Sequence, residues 1–408
     1  AQALAICNRH GQPIAVQGGL TGLAGGANPH EGEFALSLAR LNRIEDIDPL
    51  GGTAIVQAGV TLEQLQQAAK EAGWFFPLDL GARGSCQVGG NTATNAGGNR
   101  VLRYGMMRQA VLGLEVALPD GTLLTMLDRV LKNNAGFDLK HLFIGSEGAL
   151  GIVTRLALQL QPEPTSSITV MCAVPSFEAA TLLLREARRQ VPELAAFELM
   201  WHDYLDACAK ANKKALPFTD AHPLYVLIET LGADRASGMA AVERLLESAL
   251  EAGTVSDAIV AQSGEQAKQL WGFRDGVAEL LMQLRPCTTF DVSVAMPQMD
   301  GLVQRLRAAL EQRFPGKPHL FFGHLGDGNL HLVSGPYPQA ADYHAVEDIV
   351  YEEIGRVGGS VSAEHGIGTV KMEYLPHSRD AAQIEVMRKL KRLFDPQRIL
   401  NRDRVVDA

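Results

Sequence analysis

The chain has 408 residues, more than one hydrophobic core ordinarily serves, so two domains are expected. Hydrophobic residues make up 46% and charged residues 20%, which excludes a disordered or fibrous chain. A formal net charge of -9 with no basic run argues against nucleic-acid binding, and no stretch approaches the roughly 20 apolar residues of a membrane span.

The opening residues Ala1 to Cys7 read as the second half of an amphipathic helix ending near Gly11. Such a helix lacks a start signal, so earlier residues are expected to be missing, and no signal-peptide layout is present. Pro13 to Val16 reads as a short buried strand. The loop Gln17 to Ala27 follows, with Gly18, Gly19, Thr21, Gly22 and Leu23 among its residues. Its glycines let the backbone turn N–H groups inward as an anion nest for a diphosphate, a merely flexible loop being the competing reading. It lacks the Gly-x-Gly-x-x-Gly spacing of a dinucleotide fold. Ala54 to Val60 predicts a strand, and Thr61 with Gln64 a capping box for a helix ending at Gly73.

The low-charge segment from Pro77 to Gly98 is too poor in large side chains to be core. Its small polar residues, including Asp79, Ser85, Gly89, Gly90, Asn91, Asn95 and Gly97, suit a wall against an extended polar cofactor. Val111 to Leu118 with the turn Pro119 to Thr122 predicts a strand and hairpin. A Gly-rich turn from Gly145 to Gly151 precedes the strand Ile152 to Leu158, and Gln161 to Ser167 marks a domain boundary. Beyond it, strands at 168–174, 224–230, 288–296 and 319–322 alternate with helices at 176–190, 235–251, 265–284, 298–313 and 340–357. That pattern predicts an α+β unit whose antiparallel sheet is covered by helices on one face. A basic helix at 384–394 and the turn 395–401 are expected to return to the first domain.

The densest chemistry lies in Gly323 to His331 and Ala363 to Gly368. A Gly-Asp-Gly-Asn turn between apolar runs predicts a hairpin with His324 and His331 at its mouth. Two imidazoles plus the Glu364 carboxylate suit a borderline divalent ion and leave positions open for substrate, so His324, His331 and Glu364 are assigned as metal ligands. Neighbouring residues of an extended chain point oppositely, which frees His365 to act as a base. The alternative is that each histidine satisfies only a local hydrogen bond. Five cysteines, Cys7, Cys86, Cys172, Cys208 and Cys287, form no Cys-x-x-Cys pair. Free thiols in a reducing, bacterial-type cytoplasm are expected, with peripheral association at the inner face of the membrane left open.

Taken in order, the loop at 18–27, the segment at 89–98, Gly145 to Gly148, His324 to His331, Ser362 to Gly368 and Pro396 to Asn401 resemble the FAD-linked oxidases of the vanillyl-alcohol oxidase (PCMH) type, particularly D-2-hydroxyglutarate and D-lactate dehydrogenases. The likeness spans nearly the whole chain. It implies an α+β protein with a PCMH-type FAD-binding domain at 1–163, incomplete at its start, a substrate and metal cap at 164–370, and a C-terminal segment at 371–408 returning to the FAD domain. By this resemblance the first loop holds the diphosphate, while the Pro77 to Gly98 segment and Glu147, Gly148, Ile152 and Val153 run along the flavin. Asn401 approaches its ring, and Arg274 anchors the substrate carboxylate through its planar fork.

The resemblance implies oxidation of a D-2-hydroxy acid to the 2-oxo acid, with hydride passing to flavin N5, a divalent metal (zinc first, then manganese or iron) chelating the substrate, and His365 taking the hydroxyl proton. An electron-transfer flavoprotein, a quinone or oxygen would accept the electrons, and a homodimer is left open. Two departures from the hydroxyglutarate enzymes, Ala278 for a threonine and Thr289 for a lysine, shift the expectation from a dicarboxylate toward lactate or a larger monocarboxylate. A metal-dependent hydrolase and a non-catalytic flavin-binding subunit of a larger complex are the rivals. A yellow preparation bleached by D-lactate or D-2-hydroxyglutarate would separate them from a dehydrogenase.

Overall fold

Local signals near the start of the chain translate directly into structure. Thr61 Oγ1 accepts the N–H of Gln64 at 3.3 Å and the Gln64 side chain accepts the N–H of Thr61 at 3.1 Å, starting the helix Leu62–Glu71. In the computed structural model, which describes residues 1–408, the chain forms two units. The first comprises Ala1–Gly98, Tyr104–Glu163 and Glu364–Ala408, and the second Asn99–Arg103 and Pro164–Ala363. The second unit therefore closes at Ala363, ahead of the boundary expected at 370.

In the first unit, β1 (Ile14–Gln17) and β2 (Phe34–Ser37) pair in parallel. The antiparallel sheet contains β3 (Ile44–Asp48), β4 (Thr53–Gln57), β6 (Val111–Ala117), β7 (Leu123–Met126) and β8 (Ile152–Gln159), in the order β3-β4-β8-β6-β7. A small ribbon pairs β5 (Trp74–Phe75) with β9 (Gln161–Pro162). Val56, Leu65, Leu114, Val116, Leu156 and Leu158 form the centre of the core.

The segment from Pro77 to Gly98 corrects the sequence reading. Leu78, Cys86, Val88 and Ala96 are buried in that core, and Val88–Ala93 is a short helix. Small residues admit the backbone itself: Val88 donates to Val60 O at 2.9 Å and Gly89 to Ala58 O at 2.8 Å. The helix Ala381–Phe394 closes the unit. Lys391 Nζ within it donates to Ala149 O at 2.9 Å, Leu400 O at 2.6 Å and Asp395 Oδ2 at 2.6 Å.

The second unit is built on a seven-stranded antiparallel sheet. Its strands are β10 (Ser166–Val174), β11 (Leu194–Trp201), β12 (Leu224–Gly232), β13 (Asp257–Val260), β14 (Thr288–Ser293), β15 (His319–His324) and β16 (Asn329–Ser334), in the order β13-β10-β12-β11-β15-β16-β14. Helices cover both faces, not one. Met171, Tyr225, Leu227 and Phe322 bury against the helices His202–Ala211, Gly264–Arg274 and Val277–Leu284. On the opposite face Phe177 stacks on Trp201, and Arg307 of Met296–Arg313 lies over Phe321. Doubly covered strands read as continuous apolar runs, which is why β11 gave no alternating signal. The strand expected to reach Met296 stops at Ser293, because Pro297 opens a helix at its first turn.

The helix expected over 265–284 is two helices, broken at Asp275–Gly276. Its exposed carbonyls are captured by the helix His202–Ala211 and the residue that follows it. Tyr204 OH donates to Arg274 O at 3.0 Å and Asn212 Nδ2 to Gly276 O at 2.9 Å.

Candidate active site

The first unit surrounds a cleft open to solvent. Among the residues proposed from sequence to hold a cofactor, Gly18, Gly19, Thr21, Gly22, Gly89, Gly90, Asn91, Glu147, Gly148, Ile152, Val153 and Asn401 line it, and so does His365. Gly19 shows why the loop is glycine-rich, since a Cβ there would fall 2.0 Å from Ser85 O. Backbone N–H groups so placed can approach a diphosphate closely.

Leu23, Pro77, Asp79, Ser85, Asn95 and Gly97 are not among the lining residues. Leu23 is exposed, Pro77 is buried, and Asp79 pairs with Arg83 at 2.6 Å. Asn95 Oδ1 instead accepts the N–H of Arg108 at 2.9 Å, bracing the chain just after a short helix begins. Asn401 lines the cleft but gives its amide to the protein: Nδ2 donates to Glu147 O at 2.6 Å and Oδ1 accepts the N–H of Val16 at 2.8 Å.

Sequence reading missed Gln87, whose side-chain carbonyl is buried on this wall without a hydrogen-bond partner. An orphaned acceptor costs folding free energy unless a ligand satisfies it. With the glycine cradle, it makes the wall a fit for FAD. The signal lay in its position directly before Val88-Gly89-Gly90.

The histidines sit on the hairpin β15–β16. Register pairs His324 with Asn329 and His331 with Phe322, so His331 lies two residues inside β16 and not at the mouth. Both project on the same face, their ring centroids 5.3 Å apart. Ala363 donates its N–H to Asp291 O at 3.2 Å, which fixes the chain just before Glu364. His324 and His331 belong to the second unit, and Glu364 opens the last segment of the first. Glu364 Oε1 accepts the N–H of Gly98 at 2.5 Å.

Two buried carboxylates stand behind the imidazoles. Glu198 Oε1 lies 2.7 Å from His324 Nδ1, and Asp291 Oδ1 lies 3.9 Å from His331 Nδ1. A carboxylate on the far ring nitrogen is the usual support of a metal-binding histidine, and Glu198 stands so to His324. Asp291 is beyond hydrogen-bond distance of His331, and a metal at His324 Nε2 would displace the Arg274 N–H that lies 3.1 Å from it. Nitrogen and carboxylate donors suit zinc, manganese or iron. The two imidazoles on one hairpin, with Glu198 behind His324, fit part of the donor set such an ion takes.

Arg274 is more committed than a free carboxylate anchor. It is buried, its Nε donates to Glu198 Oε2 at 2.6 Å, its Nη2 lies 3.1 Å from His324 Nε2, and its guanidinium lies over the Phe322 ring. Burial pushes the Glu198 carboxyl up, but His324 and Arg274 outweigh it and hold the group below the usual carboxylate range. Sequence reading missed Glu198, whose signal was a lone acid inside the apolar run of β11. Glu198→Gln is expected to weaken divalent-metal affinity about 10–100-fold, the usual cost of losing such support. Equilibrium metal titration checks this, and an unchanged affinity would remove Glu198 from the role.

Residues 163–405 match the family described as FAD linked oxidases, C-terminal domain, and residues 1–127 match the FAD binding domain family. The chain is 42% identical over 398 residues to a D-2-hydroxyglutarate dehydrogenase of Xanthomonas citri pv. viticola, covering 96% of this chain and 84% of that one. It is 40% identical to the mitochondrial D-2-hydroxyglutarate dehydrogenase of Bos taurus over 404 residues, 98% of this chain and 74% of that one. Among solved structures it resembles p-cresol methylhydroxylase with substrate bound, with a TM-score of 0.78 at 17% identity over 99% of this chain and 86% of that one. Alkyldihydroxyacetonephosphate synthase gives 0.74 at 18% identity over 98% and 74%. The chain thus belongs to the FAD-linked oxidases, a family of flavin-dependent oxidoreductases, and has the p-cresol methylhydroxylase type of fold.

Proposed function

We propose that this protein oxidises a D-2-hydroxy acid, such as D-lactate, D-2-hydroxyglutarate or a related acid, to the 2-oxo acid. The observation that carries the reading is the glycine-walled cleft of the first unit, lined by Gly18, Gly19, Gly89, Gly90 and His365, in a chain whose relatives are named as dehydrogenases of such an acid. FAD, when bound, supplies at N5 the acceptor for the C2 hydride. Bound at His324, His331 and Glu364, a divalent cation, zinc first and manganese or iron behind it, supplies the Lewis acidity that lowers the pKa of a chelated hydroxyl.

The chain's own residues do the rest. His365 follows Glu364 and lines the cleft, where it takes the proton of the substrate hydroxyl. Arg274, fixed through Nε by Glu198 and with Nη2 3.1 Å from His324 Nε2, offers Nη1 to the substrate carboxylate. Ala278 and Thr289 stand where the resemblance to the hydroxyglutarate enzymes implies a threonine and a lysine, and the loss of both polar groups favours a monocarboxylate over a dicarboxylate. An electron-transfer flavoprotein or a quinone reoxidises the flavin. All five cysteines are free thiols, which fits a reducing compartment such as a bacterial cytoplasm, and no helix is long and apolar enough to cross a membrane.

Chelation tests the proposal. Stripping divalent metal from FAD-loaded protein is expected to abolish turnover of D-lactate and D-2-hydroxyglutarate, and adding back zinc or manganese to restore it. Full turnover by protein shown to be metal-free would reject the metal-assisted reaction.

A further inference from the structure

Glu147 stands where the family resemblance places a cofactor contact, yet its carboxylate is directed at the protein. Oε1 accepts the N–H of Ile367 at 2.7 Å and Oε2 that of Gly368 at 2.9 Å. These donors follow His365 by two and three residues. The turn wraps closely around the acid, for a Cβ on Gly366 would lie 2.6 Å from Glu147 Oε1.

Glu147 is itself held from both sides. Its N–H donates to Ala93 O at 2.8 Å, at the end of the Gly-rich helix, and its carbonyl accepts Asn401 Nδ2 at 2.6 Å. Its backbone is left-handed at φ 53°, a conformation that a non-glycine residue keeps only where its surroundings dictate it. Burial pushes its carboxyl above the usual range, although the two N–H donors and Lys371 oppose that. A rigidly seated acid that receives two backbone N–H groups behaves as an anchor for the segment donating them. Both Glu147 and His365 line the cleft.

We propose that Glu147 is a positioning residue, whose carboxylate fixes the Gly366–Gly368 turn and thereby sets the His365 imidazole in the cleft. The inference rests on His365 being the base. It reassigns Glu147 from holding FAD to aligning the residue that takes the substrate's proton.

The test uses FAD-loaded Glu147→Gln and Glu147→Ala protein, each also combined with His365→Ala. The glutamine variant keeps one acceptor oxygen and is expected to lose about tenfold in kcat, and the alanine variant about a hundredfold, the scale of a misplaced catalytic group. KM and FAD content stay close to wild type. In the His365→Ala background neither substitution is expected to lower kcat further, since a residue acting through another has nothing left to position. Loss of FAD with normal kcat in the loaded fraction would make Glu147 a cofactor contact, and an additive loss in the double variants would also overturn the proposal. Should neither Glu147 variant accumulate in folded form, Gly366→Ala, which crowds the same carboxylate from the turn, must show the same split and the same non-additivity. A near wild-type rate for His365→Ala alone would refute the base assignment itself, whereas unchanged Glu147 variants beside an impaired His365→Ala refute only the positioning.

Discussion

FAD-loaded His365→Ala protein is expected to reduce its flavin about 10²–10⁴-fold more slowly than wild type when mixed anaerobically with a D-2-hydroxy acid. The deficit follows from the loss of a positioned proton acceptor. His365 directly follows Glu364, a proposed ligand, and itself lines the cleft proposed for FAD. The alanine variant keeps His324, His331 and Glu364, and the glycines of the cleft are untouched. Metal content and FAD stoichiometry should therefore match wild type, separating a chemical defect from a folding one. Stopped-flow absorbance of the flavin measures the rate, and reduction within a few-fold of wild type would eliminate His365 as the base.

The second large effect concerns stability. Arg404 and Glu33 form an ion pair at 2.8 Å with both side chains shielded from solvent, and Arg404 also donates to the carbonyls of Gly26, Asn28 and Arg402. Gly26 lies near the end of the loop that carries Gly18 and Gly19, so the pair ties the end of the chain to that Gly-rich loop. Arg404→Met strands a carboxylate and three carbonyls together, and is expected to destabilise the first unit by about 3–5 kcal/mol. The pH dependence has a definite sign. Burial acts to raise the Glu33 carboxyl, but Arg404 and the His30 N–H outweigh it, leaving the folded value below the ordinary 4.5. Its stabilisation is then complete above about pH 4.5 and is lost as pH falls through the lower folded value. Arg404→Met should flatten that part of the acid limb. Denaturant unfolding at pH 7 and across the acid range checks both points, and a loss below 1 kcal/mol would show that the pair is dispensable.

The sequence revealed those parts of the molecule that local chemistry dictates. The capping box at Thr61, the Gly-rich cradle at Gly18 and Gly19 and the β15–β16 hairpin are short-range patterns, and each is present in the fold. What escaped was set by partners far away in the chain. Glu198 lies 126 residues from His324, and nothing in the strand around it announces the imidazole it supports. The break at Asp275–Gly276 is held by Tyr204 and Asn212, so helical periodicity through 265–284 could not show it. Val88 was read as part of a cofactor wall and not as core because the segment lacks large side chains, whereas its small residues bring the backbone itself to the core. Arg274 was legible as a guanidinium in a helix, but its engagement with Glu198 was not.

Anaerobic titration of the metal- and FAD-loaded protein with the two enantiomers of lactate and of 2-hydroxyglutarate tests the central claim most directly. Bleaching of the flavin band by a D-enantiomer, with one 2-oxo acid formed per flavin and no bleaching by the L-enantiomers, is the predicted result. A loaded protein whose flavin stays oxidised with every D-2-hydroxy acid offered, or which bleaches equally with L-acids, would contradict it.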